Sequence, residues 1–352
     1  MGKQLKIAFM GAFFLGLIVV VMWANANRPR IMILHSYSDD YVWTREINVG
    51  LNRVLADKSW IDIRRYFMET KKHSSKDYQR RVGINVRRVI ANVEPDILIA
   101  VDDDAQRLAA KYFVNHPRIK IIFAGVNGSA KPYGYEGANN VTGIYERKPV
   151  RALVEMMATI SAKTGIQGTP KAVFISDMSH SAERDNNYMI TQDWAPVSYG
   201  GHKGFETFDA WQQYVLSAKQ SGADFLLIGG YRKLYRNDVE LNKDGKRKRF
   251  VPSREVATWT EANSPVPVIG MNVFNTEDGA MVSVGVSPYE QGETAANMAL
   301  DIISGRKVID DIPFQTSQQY VVSVRQSALD RRNVELPQVF EAFARTTNNY
   351  IP

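Results

Sequence analysis

The sequence contains no cysteine. This absence excludes disulfide bonds, thiolate catalysis and metal sites with cysteine ligands. It also excludes attachment of a lipid through an N-terminal cysteine. Whatever stabilises the fold must therefore come from packing, hydrogen bonding and charge pairing.

Motifs that mark common enzyme classes are absent as well. The chain has no G-x-G-x-x-G, no G-x-x-x-x-G-K-[ST], no G-x-S-x-G and no H-E-x-x-H. The triplet Asp102 to Asp104 does not form a metal site by itself, because three successive side chains cannot all point at one ion. The neighbouring pairs His35-Ser36 and Ser179-His180 do not supply the geometry of a catalytic triad. We therefore expect no catalysis, no metal and no cofactor.

Only one long apolar run is present, at the N-terminus. Lys3 and Lys6 precede the run at 7–24, which is followed by the small-residue pattern Ala24-Asn25-Ala26. This order is typical of a secretory signal peptide over residues 1–26, although the run is also long enough for an uncleaved membrane anchor. Both interpretations place the rest of the chain outside the cytoplasm. The lack of a second such run excludes a polytopic transporter.

The net charge of +7 is spread along the chain. The densest basic cluster is formed by Lys243 and Lys246 to Arg249, and we interpret it as a solvated loop. A diffuse excess of this size favours no nucleic-acid partner.

Short apolar runs alternate with segments of helical spacing after residue 28. The predicted strands lie at 31–34, 61–67, 96–101, 119–124, 141–145, 172–176, 205–208, 224–228, 267–271 and 280–286. Such alternation predicts βαβ units and parallel sheets. Because one sheet of ten strands would be unusual, we predict an α/β fold with two Rossmann-like lobes, each with its own parallel sheet.

Ligands of open parallel sheets bind beyond the carboxyl ends of the strands. The residues at those ends are polar and aromatic, as a small-molecule site requires. They are His35 to Tyr41 and Trp43, Asp102 to Asp104, Gly125 to Asn127, Asp177 to His180, Gly229 to Tyr231, and Asn272.

Several of these residues have an equally plain structural interpretation. Asp103 or Asp104 is suited to cap a helix, and Trp43 begins a helical stripe. His35 follows an apolar run and is either a core histidine or a ligand contact.

Three segments of the first half resemble ABC-transporter-type substrate-binding proteins with the type I periplasmic-binding fold. They are ILHSYSDDYVWTREINVGL (33–51), PDILIAVDDDA (95–105) and FAGVN (123–127). The second half agrees in GGYR (229–232), NSPVPVIG (263–270) and GAMVSVGVSPYEQGETAANMALDIISGRK (279–307).

This resemblance implies two lobes joined by a hinge of crossover strands. It puts the first lobe at residues 28–145 plus 288–308, and the second at 146–287 plus 309–352. Carried over position by position, it also implies nine candidate ligand contacts, which are Ser36, Tyr37, Trp43, Asp102, Asp103, Asn127, Ser179, Tyr231 and Asn272. The long charged stretch 231–251 and the loop 177–194 depart from simple members of the family.

The resemblance implies a solute-binding protein that closes on a small polar organic ligand, such as an amino acid or amine, and delivers it to an ABC permease. The alternative is a ligand-sensing partner of a membrane sensor kinase or cyclase, because similar domains serve as sensors.

Overall fold

The computed structural model describes residues 2–26, 28–236 and 250–352. The predicted basic cluster at 243–249 lies outside these residues. Among the helices of the described ranges, none has the length and apolar character needed to cross a membrane.

The helices and strands alternate through most of the chain, as predicted. The helices are α1 (Gly2–Ala26), α2 (Val42–Leu55), α3 (Lys76–Val93), α4 (Asp102–Leu108), α5 (Val150–Thr164), α6 (His180–Met189), α7 (Phe208–Leu216), α8 (Ser253–Asn263), α9 (Phe274–Asp278), α10 (Pro288–Ile303), α11 (Gln326–Arg332) and α12 (Gln338–Thr346). The strands are β1 (Arg30–His35), β2 (Asp62–Phe67), β3 (Ile97–Val101), β4 (Lys120–Val126), β5 (Val141–Tyr145), β6 (Lys171–Asp177), β7 (Ser198–Phe205), β8 (Phe225–Ile228), β9 (Val268–Gly270), β10 (Val282–Val286), β11 (Gln315–Thr316), β12 (Tyr320–Arg325) and β13 (Tyr350–Ile351).

These strands form two mostly parallel sheets, which confirms the α/β prediction. The first sheet has the order β11-β5-β4-β3-β1-β2, and the second has the order β13-β12-β10-β9-β8-β6-β7. In the second sheet β12 runs antiparallel to β10. The strand order reverses beside β1 in the first sheet and beside β6 in the second, and such switch points are where open α/β sheets bind ligands.

The chain divides into two compact units. The first unit comprises residues 1–124, 130–143 and 292–314, and the second comprises 125–129, 144–291 and 315–352. In the first unit β3 is buried along its whole length, as its continuous apolar run predicts. In the second unit α5 and α12 pack on one apolar cluster, whereas α7 and α8 pack on another.

Three local predictions are wrong in detail. The strand predicted at 205–208 ends at Phe205, because Thr207 already caps α7 by accepting the backbone N–H of Ala210. Helix α4 begins at Asp102, so Asp104 lies within its first turn instead of capping it. The spacing of Ser74 and Asp77 predicts a capping box with Ser74 as the cap of α3, but the cap is Ser75, which accepts the N–H of Tyr78.

Gly292 allows α10 to pack closely on α2. A Cβ atom at this position would collide with the carbonyl oxygen of Ile47 and would lie 2.7 Å from the backbone nitrogen of Leu51. Because both neighbours are backbone atoms of a helix, neither can move aside without shifting the helix itself. The small side chain therefore sets the spacing of the two helices.

We expect Gly292→Ala to lower the free energy of unfolding by about 2 kcal/mol, since overpacking a tight contact costs about 1–3 kcal/mol. Helix propensity alone would act in the opposite direction, because alanine in a helix is favoured over glycine by about 1 kcal/mol. Urea unfolding of the two proteins measures the sign directly. Asn297→Ala, at an exposed position of the same helix, is the control and should change stability little. A stabilised Gly292→Ala variant would show that the two helices have room to separate.

Candidate functional site

The switch point of the first sheet brings together residues that follow β1 and β3. Ser36 is buried, and its hydroxyl donates to the carbonyl oxygen of Val101 at 2.7 Å while accepting the backbone N–H of Ala105 at 2.7 Å. Both hydrogen bonds link the end of β1 to the start of α4. Ser36 therefore stabilises the backbone of the site. Its hydroxyl already makes two hydrogen bonds within the protein.

Asp102 and Trp43 are joined directly. The indole Nε1 of Trp43 donates to Oδ1 of Asp102 at 2.9 Å. Asp102 has a φ of 65°, in the left-handed region that few residues other than glycine adopt. Non-glycine residues in this region cost about 1–3 kcal/mol and concentrate at functional sites, because the surrounding structure must hold them there. The Asp102 carboxylate, which is carried on a left-handed backbone, and the half-buried indole of Trp43 are the centre of the candidate site.

The three successive aspartates, Asp102 to Asp104, each bind a different side chain. Tyr133 donates its hydroxyl to Oδ1 of Asp103 at 2.6 Å, and Arg107 pairs with Asp104 at 2.6 Å. Asp102 takes the indole of Trp43 instead. Within the described residues, histidine and acidic side chains form no grouping suited to a metal ion.

Tyr37 forms an aromatic pair with Tyr41 in the first unit. Its ring lies edge-on to that of Tyr41, with ring centres 5.3 Å apart. The ammonium of Lys71 lies 3.8 Å from the centre of the Tyr37 ring and 4.2 Å from that of Tyr41. Burial raises the pKa of the Tyr37 phenol well above its usual value, and the nearby carboxylate of Asp102 raises it further. The phenol therefore stays neutral.

In the second unit, Asn127 and Asn272 converge on one charged cluster. The amide of Asn127 donates to Oδ1 of Asp185 at 3.4 Å, and Oδ1 of Asn272 accepts from Lys148 at 2.9 Å. Lys148 also pairs with Glu146 at 3.0 Å and with Asp185 at 3.4 Å. Residues from four distant parts of the chain thus meet around one lysine.

Lys148 is buried yet charged. Burial by itself lowers the pKa of its ammonium, but the carboxylates of Asp185 and Glu146 outweigh burial and raise that pKa above its ordinary value. The side chains of Lys148 and Glu146 are exposed by only 2% and 8%. The three N–H bonds of the ammonium all have acceptors, so Lys148 orients the two carboxylates and the amide of Asn272.

Lys148 is not among the contacts predicted from the sequence, although it follows β5 closely. The signal was present, since Glu146 and Lys148 are two charged residues directly after a buried strand. Their partner Asp185 lies on α6, within a segment interpreted as a loop. Arg147 adds to this arrangement, because its guanidinium donates to the carbonyl oxygens of Val126, Asn127 and Gly128.

Ser179 directly precedes α6, the helix that carries Asp185, and its backbone is bound by another aspartate. Oδ1 of Asp177 accepts the backbone N–H of Ser179 at 3.0 Å, and Oδ2 accepts that of Lys233 at 3.0 Å. Asp177 thereby joins the segments that follow β6 and β8, at the switch point of the second sheet. Ser179 is half-buried, and its hydroxyl lies 3.2 Å from that of Ser181.

Tyr231 does not join these residues. It is fully buried in the core of the second unit, where its ring meets Trp211 edge-on and its hydroxyl donates to Oδ2 of Asp278 at 2.9 Å. Burial raises the pKa of this phenol well above its usual value, and the carboxylate of Asp278 adds to the rise. Arg232, the next residue, stacks over Phe274.

A surface depression of about 640 Å³ lies elsewhere in the second unit. Asp224 and Pro267, which precede β8 and β9, line it together with Ile166 and Val334. It therefore opens at the amino ends of the strands, opposite to the edge where α/β sheets bind ligands. We do not include it in the candidate site.

Comparison with known proteins agrees with this architecture. Residues 255–347 match the family model described as ABC transporter substrate binding protein. No curated protein matches the chain in sequence.

Solved structures with this fold are numerous. The chain is similar to an ABC domain from Streptococcus pneumonia in complex with L-Trp, with a TM-score of 0.63, 13% identity, and coverage of 93% of this chain and 100% of that one. It is also similar to the ligand-free, open structure of a substrate-binding protein with adhesive properties from Clostridium difficile, with a TM-score of 0.61, 15% identity, and coverage of 88% and 96%. A third is a carbohydrate transporter solute-binding protein from Agrobacterium Radiobacter in complex with D-arabinose, with a TM-score of 0.51, 12% identity, and coverage of 90% and 99%. These likenesses confirm the type I periplasmic-binding-protein fold, and the family match confirms the resemblance to ABC-transporter substrate-binding proteins.

Proposed function

We propose that this chain, which has the type I periplasmic-binding-protein fold and resembles ABC-transporter substrate-binding proteins, binds a small polar organic solute outside the cytoplasm and delivers it to an ABC permease. The observation that carries the proposal is the Trp43–Asp102 pair at the switch point of the first sheet. It joins an aromatic face to a carboxylate whose residue has a left-handed backbone, at the edge where such sheets bind ligands. We assign binding to this site and no catalytic step.

The ligand chemistry follows from the side chains present. Trp43 and Tyr37 offer apolar faces, while Asp102 and Asp103 offer carboxylates suited to an amine or to hydroxyl groups. In the second unit, Asn127, Asn272 and Ser179 add amide and hydroxyl groups suited to a polar end of the solute. One similar structure holds L-Trp and another holds D-arabinose, so the fold accommodates both classes. We favour an amino acid or an amine because carboxylates dominate the first-unit site.

The proposal extends to the organisation of the chain. Residues 1–26 serve as the export leader, and the two compact units form the two ligand-binding lobes. A hinge between the lobes lets them close on the solute. Ser36 supports the site through its buried hydrogen bonds, Tyr231 belongs to the core of the second unit, and the remaining candidate residues contact the ligand.

Thermal unfolding of the protein against amino acids, amines, nucleosides and sugars tests this function. A ligand at about 100 times its dissociation constant adds about 2.7 kcal/mol to the stability of the folded protein, which raises the melting temperature by about 5 °C. We expect such a rise with one solute class. If no solute of the panel raises the melting temperature, the solute-receptor proposal is wrong.

Variants of the first-unit site should then weaken binding of the solute that the panel identifies. Trp43→Leu should cost about 2 kcal/mol, or roughly 30-fold in Kd, as buried tryptophan contacts do at binding sites. Asp102→Asn removes the charge but keeps an oxygen for the Trp43 indole and tolerates the left-handed backbone. The control is Trp60→Leu, since Trp60 is an exposed tryptophan of the same unit. Equal affinities in Trp43→Leu and Trp60→Leu would contradict the assigned site.

A further inference from the structure

The Tyr37–Tyr41 pair already holds a cation, the ammonium of Lys71. Besides its contacts at 3.8 and 4.2 Å with the two ring centres, this ammonium donates to the hydroxyl of Tyr41 at 2.9 Å. Ammonium groups are attracted to aromatic faces at such distances because of the ring quadrupole. Lys71 is an exposed residue, so its ammonium can leave this place and be solvated by water.

The backbone before Lys71 explains why the lysine reaches the pair. The N–H of Thr70 and the hydroxyl of Thr70 both donate to the carbonyl oxygen of Ser36, at 3.0 and 2.9 Å. Ser36 directly precedes Tyr37, so the buried Thr70 fixes the origin of the lysine side chain next to the ring. The adjacent Lys72 binds Asp40 at 2.9 Å and holds the same segment by a separate contact. Removing the Lys71 ammonium therefore leaves the segment anchored by Thr70 and Lys72.

The surroundings of the pair favour positive charge. The carboxylates of Asp102, Asp103 and Asp104 all raise the pKa of the Tyr37 phenol, which places their negative charge within electrostatic reach of its hydroxyl. Trp43 is bound to Asp102 and contributes a third aromatic side chain to this part of the unit. Aromatic faces backed by carboxylates are the chemistry that recognises organic ammonium ions.

We propose that the Tyr37–Tyr41 pair is the binding place for an ammonium group of the ligand, and that the Lys71 ammonium occupies it until the ligand displaces it. This inference rests on the proposed solute-binding function and names its ligand class as organic ammonium compounds. Lys71 acts as a built-in competitor, so it lowers the affinity for cationic ligands and leaves neutral ligands unaffected.

Titration of the full chain with choline and with 3,3-dimethylbutan-1-ol, its uncharged analogue of the same shape, tests the proposal. Ring resonances of the tyrosines report binding in the millimolar range. We expect Lys71→Met to bind choline about fivefold more tightly than the unaltered protein, because an exposed cation–π contact no longer competes. Adding Tyr37→Leu to Lys71→Met should abolish that gain. Lys72→Met is the matched control, because it removes the neighbouring lysine without vacating the rings.

Three results would overturn the inference. They are failure of Lys71→Met to bind choline, equal binding of choline and its uncharged analogue, and an equal gain in Lys72→Met. None of these results would contradict the solute-receptor function, because the thermal unfolding panel tests that function independently. A neutral sugar found by that panel, together with any of these results, would leave the function standing and remove the ammonium class.

Discussion

Replacing Lys148 by methionine is expected to destabilise the protein by about 3–5 kcal/mol, the range observed when one partner of a buried ion pair is removed. The substitution keeps the length and much of the volume of the side chain but leaves Glu146 and Asp185 without their shared cation. Two carboxylates in a buried setting then repel each other and lack solvation. Since domains are stable by only about 5–15 kcal/mol, urea unfolding should show a large shift of the midpoint.

Two further variants separate charge from packing at this position. The triple variant Lys148→Met, Glu146→Gln, Asp185→Asn removes all three charges, so it should recover much of the loss. Lys163→Met breaks the exposed pair with Glu335 and should change stability by less than about 1 kcal/mol. If the triple variant is no more stable than the single one, the loss comes from packing and not from unpaired charge.

His35 should make the protein lose stability in mild acid. Burial lowers the pKa of its imidazole from 6.5 to about 4, and the hydrogen bond with Asn48 offsets only part of this. Between these two pH values the unfolded chain takes up a proton that the folded protein does not, so stability falls as the pH drops. The full loss below pH 4 is about 3 kcal/mol, at 1.36 kcal/mol per pKa unit.

The structure explains why this histidine resists protonation. Nε2 lies 3.1 Å from Oδ1 of Asn48, the ring stacks on Phe67, and among the described residues none accepts a hydrogen bond from Nδ1. We expect His35→Gln to reduce the difference in unfolding free energy between pH 7 and pH 4 by about 3 kcal/mol. His180→Gln is the control, since the His180 side chain is 91% exposed. An unchanged acid loss in His35→Gln would assign the effect to the carboxylates.

The sequence predicts the buried strands well because each is a continuous apolar run bounded by polar residues. β3 and β4 are buried along nearly their whole length, so the apolar signal and the structure coincide. β7 is different, since SYGGHKGF lies at the edge of its sheet with no fully buried residue. Its sequence has no continuous apolar run, so β7 forms because its backbone pairs with that of β6. β13 has only two residues, too few for any periodicity.

In the candidate site, too, the sequence predicts some features and leaves others unpredicted. The placement of Trp43 and Asp102 near the carboxyl edge follows from the rule for parallel sheets, but their hydrogen bond depends on the left-handed backbone at Asp102, which no pattern in the sequence reveals. The Lys148 cluster is harder to predict, because its members lie up to 145 residues apart, counted from Asn127 to Asn272. A charged residue in a sequence is predicted to be exposed, because burial of a charge requires partners that the sequence does not identify. Only the folded structure supplies those partners.

The discontinuous first unit has a consequence for how the protein is made. Helix α10 packs through Gly292 on α2, yet 240 residues lie between Leu51 and Gly292, which meet at that contact. During translation, the surface of α2 that receives this helix emerges early and stays uncovered while the ribosome completes residues 144–291 of the other unit. A fragment ending at residue 143 lacks residues 292–314 and so cannot complete the first unit. The nascent chain thus presents an unfinished apolar face for most of its synthesis, which is the kind of surface that chaperones bind.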